Sequence, residues 1–190
     1  MDFIELAKSR YSCKKFDARQ ISKEQLDSIL EAGRLAPTAK NLQEQHVYVV
    51  QSAEGIAKID SLTPCRYGAP TMLIVAFDKN NVFTYPGQKY DSGIEDASIV
   101  TTHMMLCAKS VGVDSCWVNF FDPDKMTEAF QFPENEDPDG GISYLRFQAF
   151  LLIPLQIGLW PSSVATRQST SKFDSALAAL SFLVSYRSNL

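Results

Sequence analysis

The sequence predicts a mixed α/β or α+β domain in which helices pack on a β-sheet. Stretches with helical spacing alternate with short runs of β-branched and other apolar residues, and this alternation is typical of that fold class. The chain has 190 residues, which suffices for one domain with a substantial core. No internal repeat is present, so we expect a single domain over residues 1–190.

Each of the first two predicted helices begins with a capping residue. Asp2 can cap a helix whose apolar residues cover one side. Ser22 followed by Gln25 forms a capping box for the second helix, which has to end before Pro37 because the residue preceding a proline disfavours the helical conformation. Between the two helices, residues 10–16 form a polar and basic turn.

The rest of the chain alternates strands with helices. The run at 71–77 is almost continuously apolar, which is typical of a strand covered on both faces, so we place it near the centre of the sheet. Gly112 stands where a helix terminator belongs, and Asp122 followed by Pro123 opens a short helix. The remaining predictions are strands at 46–50, 115–118 and 147–153 and helices at 53–62, 91–111 and 173–186.

The composition argues against nucleic-acid binding and against a disulfide framework. The chain carries 18 Lys+Arg against 22 Asp+Glu, a net charge of −4, so it lacks the broad positive field that nucleic acid needs. Its four cysteines form no C-x-x-C pair, a pattern that fits reduced thiols better than disulfides or a zinc site. The first residues lack the features of a signal peptide, and the longest apolar stretch, 149–160, is shorter than the ~20 residues of a membrane span. We expect a cytoplasmic protein without a membrane partner.

No group of side chains forms a self-sufficient catalytic centre, and no metal site is expected. The G-x-S-x-G, H-E-x-x-H and G-x-x-x-x-G-K-[ST] motifs are all missing. His103 lies on an apolar helix pattern, which favours a structural role, and Cys116 is expected to be a small buried thiol. Asp91 and Glu95 stand at a helix start, where acids stabilise the positive end of the helix dipole. We therefore assign no side chain as catalytic.

The basic turn at 10–16 (RYSCKKF) is a candidate phosphate site. Arg10, Ser12 and Lys14 offer a planar fork of donors, a hydroxyl and a point charge, which together suit a dianionic phosphate. The alternative interpretation is a solvated surface turn, since basic clusters are often no more than that.

A second polar stretch, 37–43 (PTAKNLQ), follows the second helix. The amides of Asn41 and Gln43 can both donate and accept hydrogen bonds, which suits an aromatic heterocycle with carbonyls and ring nitrogens. Ordinary turn chemistry is the alternative. A protein with a phosphate site and no acid, base or nucleophile of its own can act by holding a cofactor that performs the chemistry.

These two stretches resemble signatures of the FMN-dependent nitroreductase family. Residues 10–16 are similar to its R-x-S-x-R-x-F motif, and residues 37–43 are similar to its P-S-x-x-N-x-Q motif. The segment 67–70 (YGAP) resembles the family's G-A-P entry to the central strand, and 105–117 resembles the end of its long helix with the G-L-G-x-C-W that follows. The resemblance covers about residues 2–136, and the order and spacing of the motifs agree.

The resemblance implies a set of cofactor-binding residues. Arg10, Ser12 and Lys14 would hold the FMN phosphate and ribityl chain, whereas Thr38, Asn41 and Gln43 would lie near the isoalloxazine of a flavin bound mainly by the partner subunit. The backbone at Val118 and Asn119 matches the place where family members donate a hydrogen bond to flavin N5. The remaining members of the expected set, which belong to the same two motifs, are Tyr11, Pro37 and Ala39.

The resemblance also implies a fold, an assembly and an activity. Family members are α+β homodimers with a mixed central sheet flanked by helices and with two flavins at the interface. They pass electrons from NADH or NADPH through FMN to nitroaromatics, quinones or related acceptors in a ping-pong cycle. The expected protein is thus an FMN-dependent NAD(P)H oxidoreductase of the nitroreductase type.

Three features depart from the family pattern. Lys14 replaces an arginine and acts as a point charge, so one bidentate contact is lost. Asn119 replaces a common glycine, and asparagine tolerates the left-handed conformation that such a turn can need. The tail, 137–190, lacks the basic H-x-x-R-K segment that helps to bind the phosphate, and Arg167 and Lys172 are its cations placed to substitute. A divergent ending, a private insertion and a shifted reading frame all remain open as origins of the tail.

Two other functional classes stay open at this stage. A flavin-binding protein without turnover, either a carrier or a degenerate relative, would share the same binding residues. A structural or partner-binding domain without cofactor would use both polar stretches only as surface turns. Flavin content separates the second class from the others, and reduction of the flavin by NADH or NADPH separates the enzyme from the carrier.

Overall fold

A four-stranded sheet forms the centre of the molecule, which we describe from a computed structural model. The structure describes residues 1–132 in full and the backbone of 135–136, 142–143 and 145–153. Its helices are α1 (Phe3–Ser9), α2 (Lys23–Arg34), α3 (Ala53–Leu62), α4 (Gly93–Ser110) and α5 (Pro123–Phe130). Its strands are β1 (Gln45–Val50), β2 (Thr71–Asp78), β3 (Cys116–Val118), β4 (Asn135–Glu136), β5 (Ile142–Ser143) and β6 (Leu145–Ile153).

The strand order is β1-β2-β6-β3, and β4 pairs separately with β5. Every neighbouring pair of these strands is antiparallel, so the expectation of a mixed sheet is wrong for the described strands. The reason is that β6 lies between β2 and β3, which both run opposite to it and would otherwise be parallel neighbours. A single parallel bridge, between Ser12 and Ser115, extends the sheet beyond the start of β3.

Both faces of the sheet are covered. Alternate residues of β1 and β2 point to opposite sides, because side chains alternate along a strand. Val47, Leu73 and Val75 pack under α2 and α4, whereas Tyr48, Met72 and Ile74 join the core formed with α3 and α5. The residues from Met72 to Ala76 have no solvent exposure, which confirms the prediction of a central strand covered on both faces.

The helix boundaries follow the predicted caps. Asp2 accepts a hydrogen bond from the Glu5 N–H at 2.9 Å and completes a capping box for α1. Ser22 and Gln25 form the second predicted capping box, at the start of α2. α4 ends at Ser110, two residues before Gly112, whose φ of 79° lies in the left-handed region that glycine allows. Among the described helices, none combines the length and hydropathy required to span a bilayer.

Candidate functional site

The basic segment runs beside the start of β3. Ser12 bridges Ser115 in parallel, and the N–H of the next residue donates to the Ser115 carbonyl at 3.0 Å. This pairing places Ser12 and Lys14 at the edge of the sheet where Val118 and Asn119 end the neighbouring strand. The structure therefore brings the expected phosphate donors and the expected flavin N5 contact to one side of the molecule.

Arg10 differs from the other arginines of residues 1–132. It terminates α1, where its own N–H donates to the Leu6 carbonyl at 3.1 Å, and its guanidinium takes part in none of the described ion pairs. Lys14 is exposed and also lacks a described ion pair. The remaining three arginines each hold a carboxylate, in the pairs Arg19–Asp17, Arg34–Glu31 and Arg66–Asp60. In an acidic chain, a guanidinium and an ammonium without carboxylate partners, next to a serine hydroxyl, form a donor set that fits a phosphate.

Tyr11 fixes this segment to the body of the protein. Its hydroxyl donates to Asp114 Oδ2 at 2.8 Å, and Asp114 Oδ1 accepts from Lys109 Nζ at 2.8 Å. Asp114 is buried, and the Lys109 ammonium also lies 5.3 Å from the centre of the Tyr11 ring. Burial, followed by the hydrogen bond to Asp114, raises the pKa of Tyr11, so the phenol stays a donor at all ordinary pH values.

The turn after β3 accommodates Asn119 in place of the family's common glycine. Val118 is buried and Asn119 is exposed. The Asn119 side chain accepts a hydrogen bond from Trp117 Nε1 at 2.8 Å. Asn119 is not among the residues with positive φ, so its tolerance of a left-handed conformation is not needed at this position. The substitution for glycine therefore causes no backbone strain here.

The loop 37–43 adopts a strained conformation without any glycine. Lys40, Asn41 and Gln43 have φ values of 53°, 55° and 51°, in a region that costs non-glycine residues about 1–3 kcal/mol each. Thr38 Oγ1 accepts from the Gln43 N–H at 3.1 Å, and the Asn41 N–H donates to the Thr38 carbonyl at 2.9 Å. Strain of this kind persists only where surrounding contacts enforce it, and such positions cluster at functional sites.

Further contacts fix the loop to its neighbours. The Ala39 N–H donates to Asp96 Oδ1 on α4 at 3.0 Å, and the Lys40 ammonium lies 4.5 Å from the centre of the Phe83 ring. A cavity of about 40 Å³ lies beneath the loop between α2 and β1, with room for water and not for a flavin. Of the residues expected near the flavin ring, Thr38 and Gln43 line this cavity, whereas Pro37 and Asn41 are exposed.

Two buried acids near the loop were not predicted from the sequence. Glu44 and Asp96 are both 2% exposed. Burial, followed by the hydrogen-bonded carboxyl of Asp96, raises the pKa of Glu44 to about 7. A signal was present in the sequence, since Asp96 lies one helical turn before Val100 on the apolar side of α4, where a charged residue is unexpected.

Within one chain, the two motifs lie far apart. Lys109 contacts the basic segment and Asp96 contacts the loop, and these two residues are thirteen positions apart on α4. That spacing corresponds to about 20 Å along a helix axis. The basic segment also flanks β3 and the loop precedes β1, which are the opposite edges of the sheet. The structure thus forms each half of the expected site without joining the two halves in one chain.

The predictions for Cys116 and Asp91 are confirmed, whereas His103 is exposed and its structural role stays a prediction. His103 Nδ1 lies 2.9 Å from the Ile99 carbonyl one turn earlier in α4. Cys116 is buried, and burial raises the pKa of its thiol. Asp91 Oδ1 accepts from the Gly93 N–H at the start of α4 at 3.0 Å. The expectations for Arg167, Lys172 and a helix at 173–186 lie outside the described residues.

Comparisons with known proteins identify the family. Residues 7–65 and 63–144 match the model of the nitroreductase family. A protein of Methanothermobacter thermautotrophicus, provisionally named an NADH dehydrogenase/NAD(P)H nitroreductase, is 30% identical over 147 residues that cover 73% of each chain. The match therefore extends past residue 136, where the motif resemblance ends.

Solved structures share the fold. A nitroreductase family protein of Clostridium difficile 630 is 38% identical and has a TM-score of 0.75, with 85% of this chain and 88% of that chain covered. A provisionally named nitroreductase of Exiguobacterium sibiricum 255-15, solved in complex with FMN, is 22% identical with a TM-score of 0.66 and covers 87% of this chain and 94% of its own. The family model and the 30% identical relative each match more than two thirds of the chain. The chain therefore belongs to the nitroreductase family.

Proposed function

We propose that this protein is an FMN-dependent oxidoreductase that uses NADH or NADPH to reduce small nitroaromatic, quinone or related acceptors. The observation that carries the proposal is the guanidinium of Arg10, which pairs with no carboxylate in the described part of the chain. It lies near Ser12 and Lys14, beside the edge of the sheet where Val118 ends β3 and Asn119 follows. FMN-bound relatives of the same fold and the NAD(P)H nitroreductase names of other relatives support this choice.

Each part of the site has a distinct role in binding. Arg10, Ser12 and Lys14 hold the phosphate by charge and hydrogen bonds. The loop 37–43 presents its backbone and the Asn41 and Gln43 amides to the ring, in a shape that is fixed before the cofactor arrives. When bound, FMN supplies the redox chemistry, because it can accept a hydride from a nicotinamide and pass the electrons to an acceptor.

The protein's own contribution is geometry. Hydride transfer requires close stacking of donor and acceptor rings, and preorganised surfaces on each side of a flavin provide that alignment. No described side chain is placed as an acid or base for this reaction. The proton that a reduced acceptor takes up would come from water.

A homodimer completes the site in this proposal. The two motifs lie on different sides of one chain. In addition, α1 has no buried residue, and its apolar side chains Phe3 and Ile4 are 65% and 59% exposed. Exposed apolar side chains at the start of a helix whose other end leads into Arg10 suit an interface with a second copy of the chain. The loop of one subunit would then meet the flavin held by the basic segment of the other.

Flavin retention tests the binding part of the proposal. Arg10→Ala should weaken FMN by about 1.5–3 kcal/mol, the range for a hydrogen bond to a charged group, which corresponds to about a tenfold to hundredfold rise in Kd. Fluorescence titration of FMN against the flavin-free protein measures it. Lys15→Ala removes an exposed cation outside the proposed donor set and should leave the Kd nearly unchanged. Equal Kd values for Arg10→Ala and the unmodified protein would remove Arg10 from the site.

Anaerobic mixing of the FMN-loaded protein with NADH and with NADPH tests the redox part. Loss of the flavin absorbance, followed by its return when a quinone or nitroaromatic compound is added, is the expected result. A flavin that stays oxidised with both nucleotides would instead identify a carrier without turnover.

A further inference from the structure

The region beneath the loop 37–43 contains two carboxyl groups and no cation that pairs with them. Glu44 follows the loop directly, and Asp96 lies in the first turn of α4. Their exposures of 2% each mean that water does not solvate either charge. No ion pair in the described part of the chain joins either carboxyl to a lysine, arginine or histidine. Two like charges buried next to each other are unfavourable, and one of the two groups then keeps its proton.

The hydrogen bonds around the pair show where a proton is needed. Ser92 Oγ donates to Glu44 Oε1 at 3.4 Å, and the Ala39 N–H donates to Asp96 Oδ1 at 3.0 Å. The other two oxygens, Glu44 Oε2 and Asp96 Oδ2, have no donor among the described residues. Asp96 acts on Glu44 by a hydrogen bond and by its charge, so a proton on one of these two unpartnered oxygens would serve as the donor that the other lacks.

The remaining neighbours do not replace this proton. The Glu44 backbone N–H and the Gln45 amide both favour the charged form of Glu44, but burial and the hydrogen bond to Asp96 have larger effects and raise its pKa. The Tyr85 hydroxyl donates to Glu95 and not to the pair. Asp78 contacts Glu44 through the main chain, where its N–H donates to the Glu44 carbonyl at 3.0 Å. The Lys40 ammonium is over the Phe83 ring.

We propose that Glu44 and Asp96 share one proton and that this protonated pair is the positioning element that keeps the loop 37–43 in its flavin-binding shape. The role in flavin binding rests on the proposed function, whereas the shared proton and the anchored loop do not. Asp96, kept in place by a neutral Glu44, accepts the Ala39 N–H and fixes the residue that precedes the strained Lys40 and Asn41. Both acids are positioning residues, since neither is placed to touch the flavin.

The direction of the pH effect follows from the raised pKa of Glu44, about 7 instead of 4.5. The folded state holds a proton that the unfolded chain releases, so the stabilisation is complete below about pH 4.5 and is lost as the pH rises through about 7. Above that value both carboxylates are charged, they repel each other, and the anchor of the loop weakens. Loop order and FMN affinity should therefore fall between about pH 4.5 and 7 and stay at their lower level above that range.

A neutral amide at position 44 tests the proposal. Glu44→Gln keeps the shape of the side chain and always offers a donor to Asp96, so its loop should not respond to pH. The readout in flavin-free protein is the exchange rate of the Ala39 amide hydrogen, corrected for intrinsic exchange, from about pH 4.5 to 9. The unmodified protein should lose protection by up to about tenfold per pH unit between about pH 4.5 and 7 and stay level above that range, whereas Glu44→Gln should stay flat throughout. Glu95→Gln, an exposed acid on the same helix, is the matched control and should behave as the unmodified protein.

Two further measurements keep the outcomes separate. The infrared band of a protonated carboxylic acid should titrate in the unmodified protein near pH 7 and be missing from Glu44→Gln, and this needs neither flavin nor activity. The FMN Kd of the unmodified protein, divided by that of Glu44→Gln at the same pH, cancels the ionisation of the FMN phosphate at about pH 6. This ratio should rise between about pH 4.5 and 7.

The results that overturn the proposal differ from those that overturn flavin binding. Parallel pH profiles of Ala39 exchange in the unmodified protein and in Glu44→Gln would refute the shared proton. If the variant does not fold, the lack of a titrating carboxylic acid band in the unmodified protein would refute it. A protein that never binds FMN but shows the predicted exchange profiles would instead refute the proposed function and leave the proton pair intact.

Discussion

Tyr11 shows how one side chain fixes a binding segment that is otherwise exposed. The ring itself is 41% exposed, yet its hydroxyl reaches the buried Asp114, which also holds Lys109. Asp114 directly precedes Ser115, the residue that bridges Ser12. The tyrosine contact and the backbone bridge thus fix the same few residues of the basic segment, and both lie outside any regular helix or strand.

Removing that hydroxyl should cost stability. Tyr11→Phe deletes a donor to the buried Asp114 carboxylate, which then keeps its bond to Lys109. We expect the free energy of unfolding to fall by about 1–2 kcal/mol. This is less than the full value for a charged acceptor because Tyr11 is partly exposed. Chemical denaturation measures the loss. Tyr90→Phe, at a tyrosine that is 68% exposed, is the matched control and should change stability by less than about 0.5 kcal/mol. Equal losses in both variants would show that the Asp114 contact contributes nothing.

At the scale of elements, α4 connects the two halves of the candidate site. Its first turn carries Asp96 beneath the loop, and its last turn carries Lys109 beside Tyr11. The start of the helix packs closely on β2, because Gly93 has no side chain to keep the two apart. A Cβ built at Gly93 would lie 2.2 Å from Cε2 and 2.4 Å from Cδ2 of the buried Phe77 ring.

This close approach predicts the effect of a methyl group. Gly93→Ala should lower the free energy of unfolding by about 1–3 kcal/mol through overpacking, against a helix propensity that alone would favour alanine by up to about 1 kcal/mol. Thermal or chemical unfolding tests this. In a Phe77→Leu background the additional cost of Gly93→Ala should shrink, because the ring that causes the clash is gone. An undiminished cost in that background would place the strain elsewhere.

Local signals in the sequence identified the elements well. The capping residues Asp2 and Ser22 act on the backbone next to them, so the starts of α1 and α2 could be read from a few positions. The strand β2 was recognisable because burial on both faces leaves no polar position from Met72 to Phe77. The pairing of β6 between β2 and β3 could not be read in this way, since strand order depends on contacts between distant segments.

The same distinction applies to the candidate site. Arg10, Ser12, Asn41 and Gln43 stand out through residue type and spacing, and their assignment to flavin binding stays a prediction. The Glu44–Asp96 pair was missed because the two acids are 52 positions apart in the sequence and interact only in the folded interior. Pairwise burial of this kind leaves no local pattern apart from an acid on the apolar side of α4.

At the scale of the whole molecule, the separation of the two motifs is the feature with the clearest consequence. A flavin whose phosphate binds at the basic segment and whose ring meets the loop 37–43 is shared between two chains in the proposed assembly. Each of the two sites then takes Arg10 from one subunit and Asn41 from the other. A site formed within one chain would take both residues from the same subunit.

Mixing two defective variants distinguishes these arrangements. Arg10→Ala and Asn41→Ala should each bind FMN weakly when pure. In a mixed dimer of the two variants, one site combines both substitutions, while the other combines the intact Arg10 of one chain with the intact Asn41 of its partner. Random reassociation of equal amounts should therefore restore tight FMN binding at about a quarter of all sites, measured by titration after joint unfolding and refolding. Mixing either variant with itself is the control. A mixture that binds no more FMN than the average of its components would show that the two motifs serve the same chain, and it would contradict the shared site.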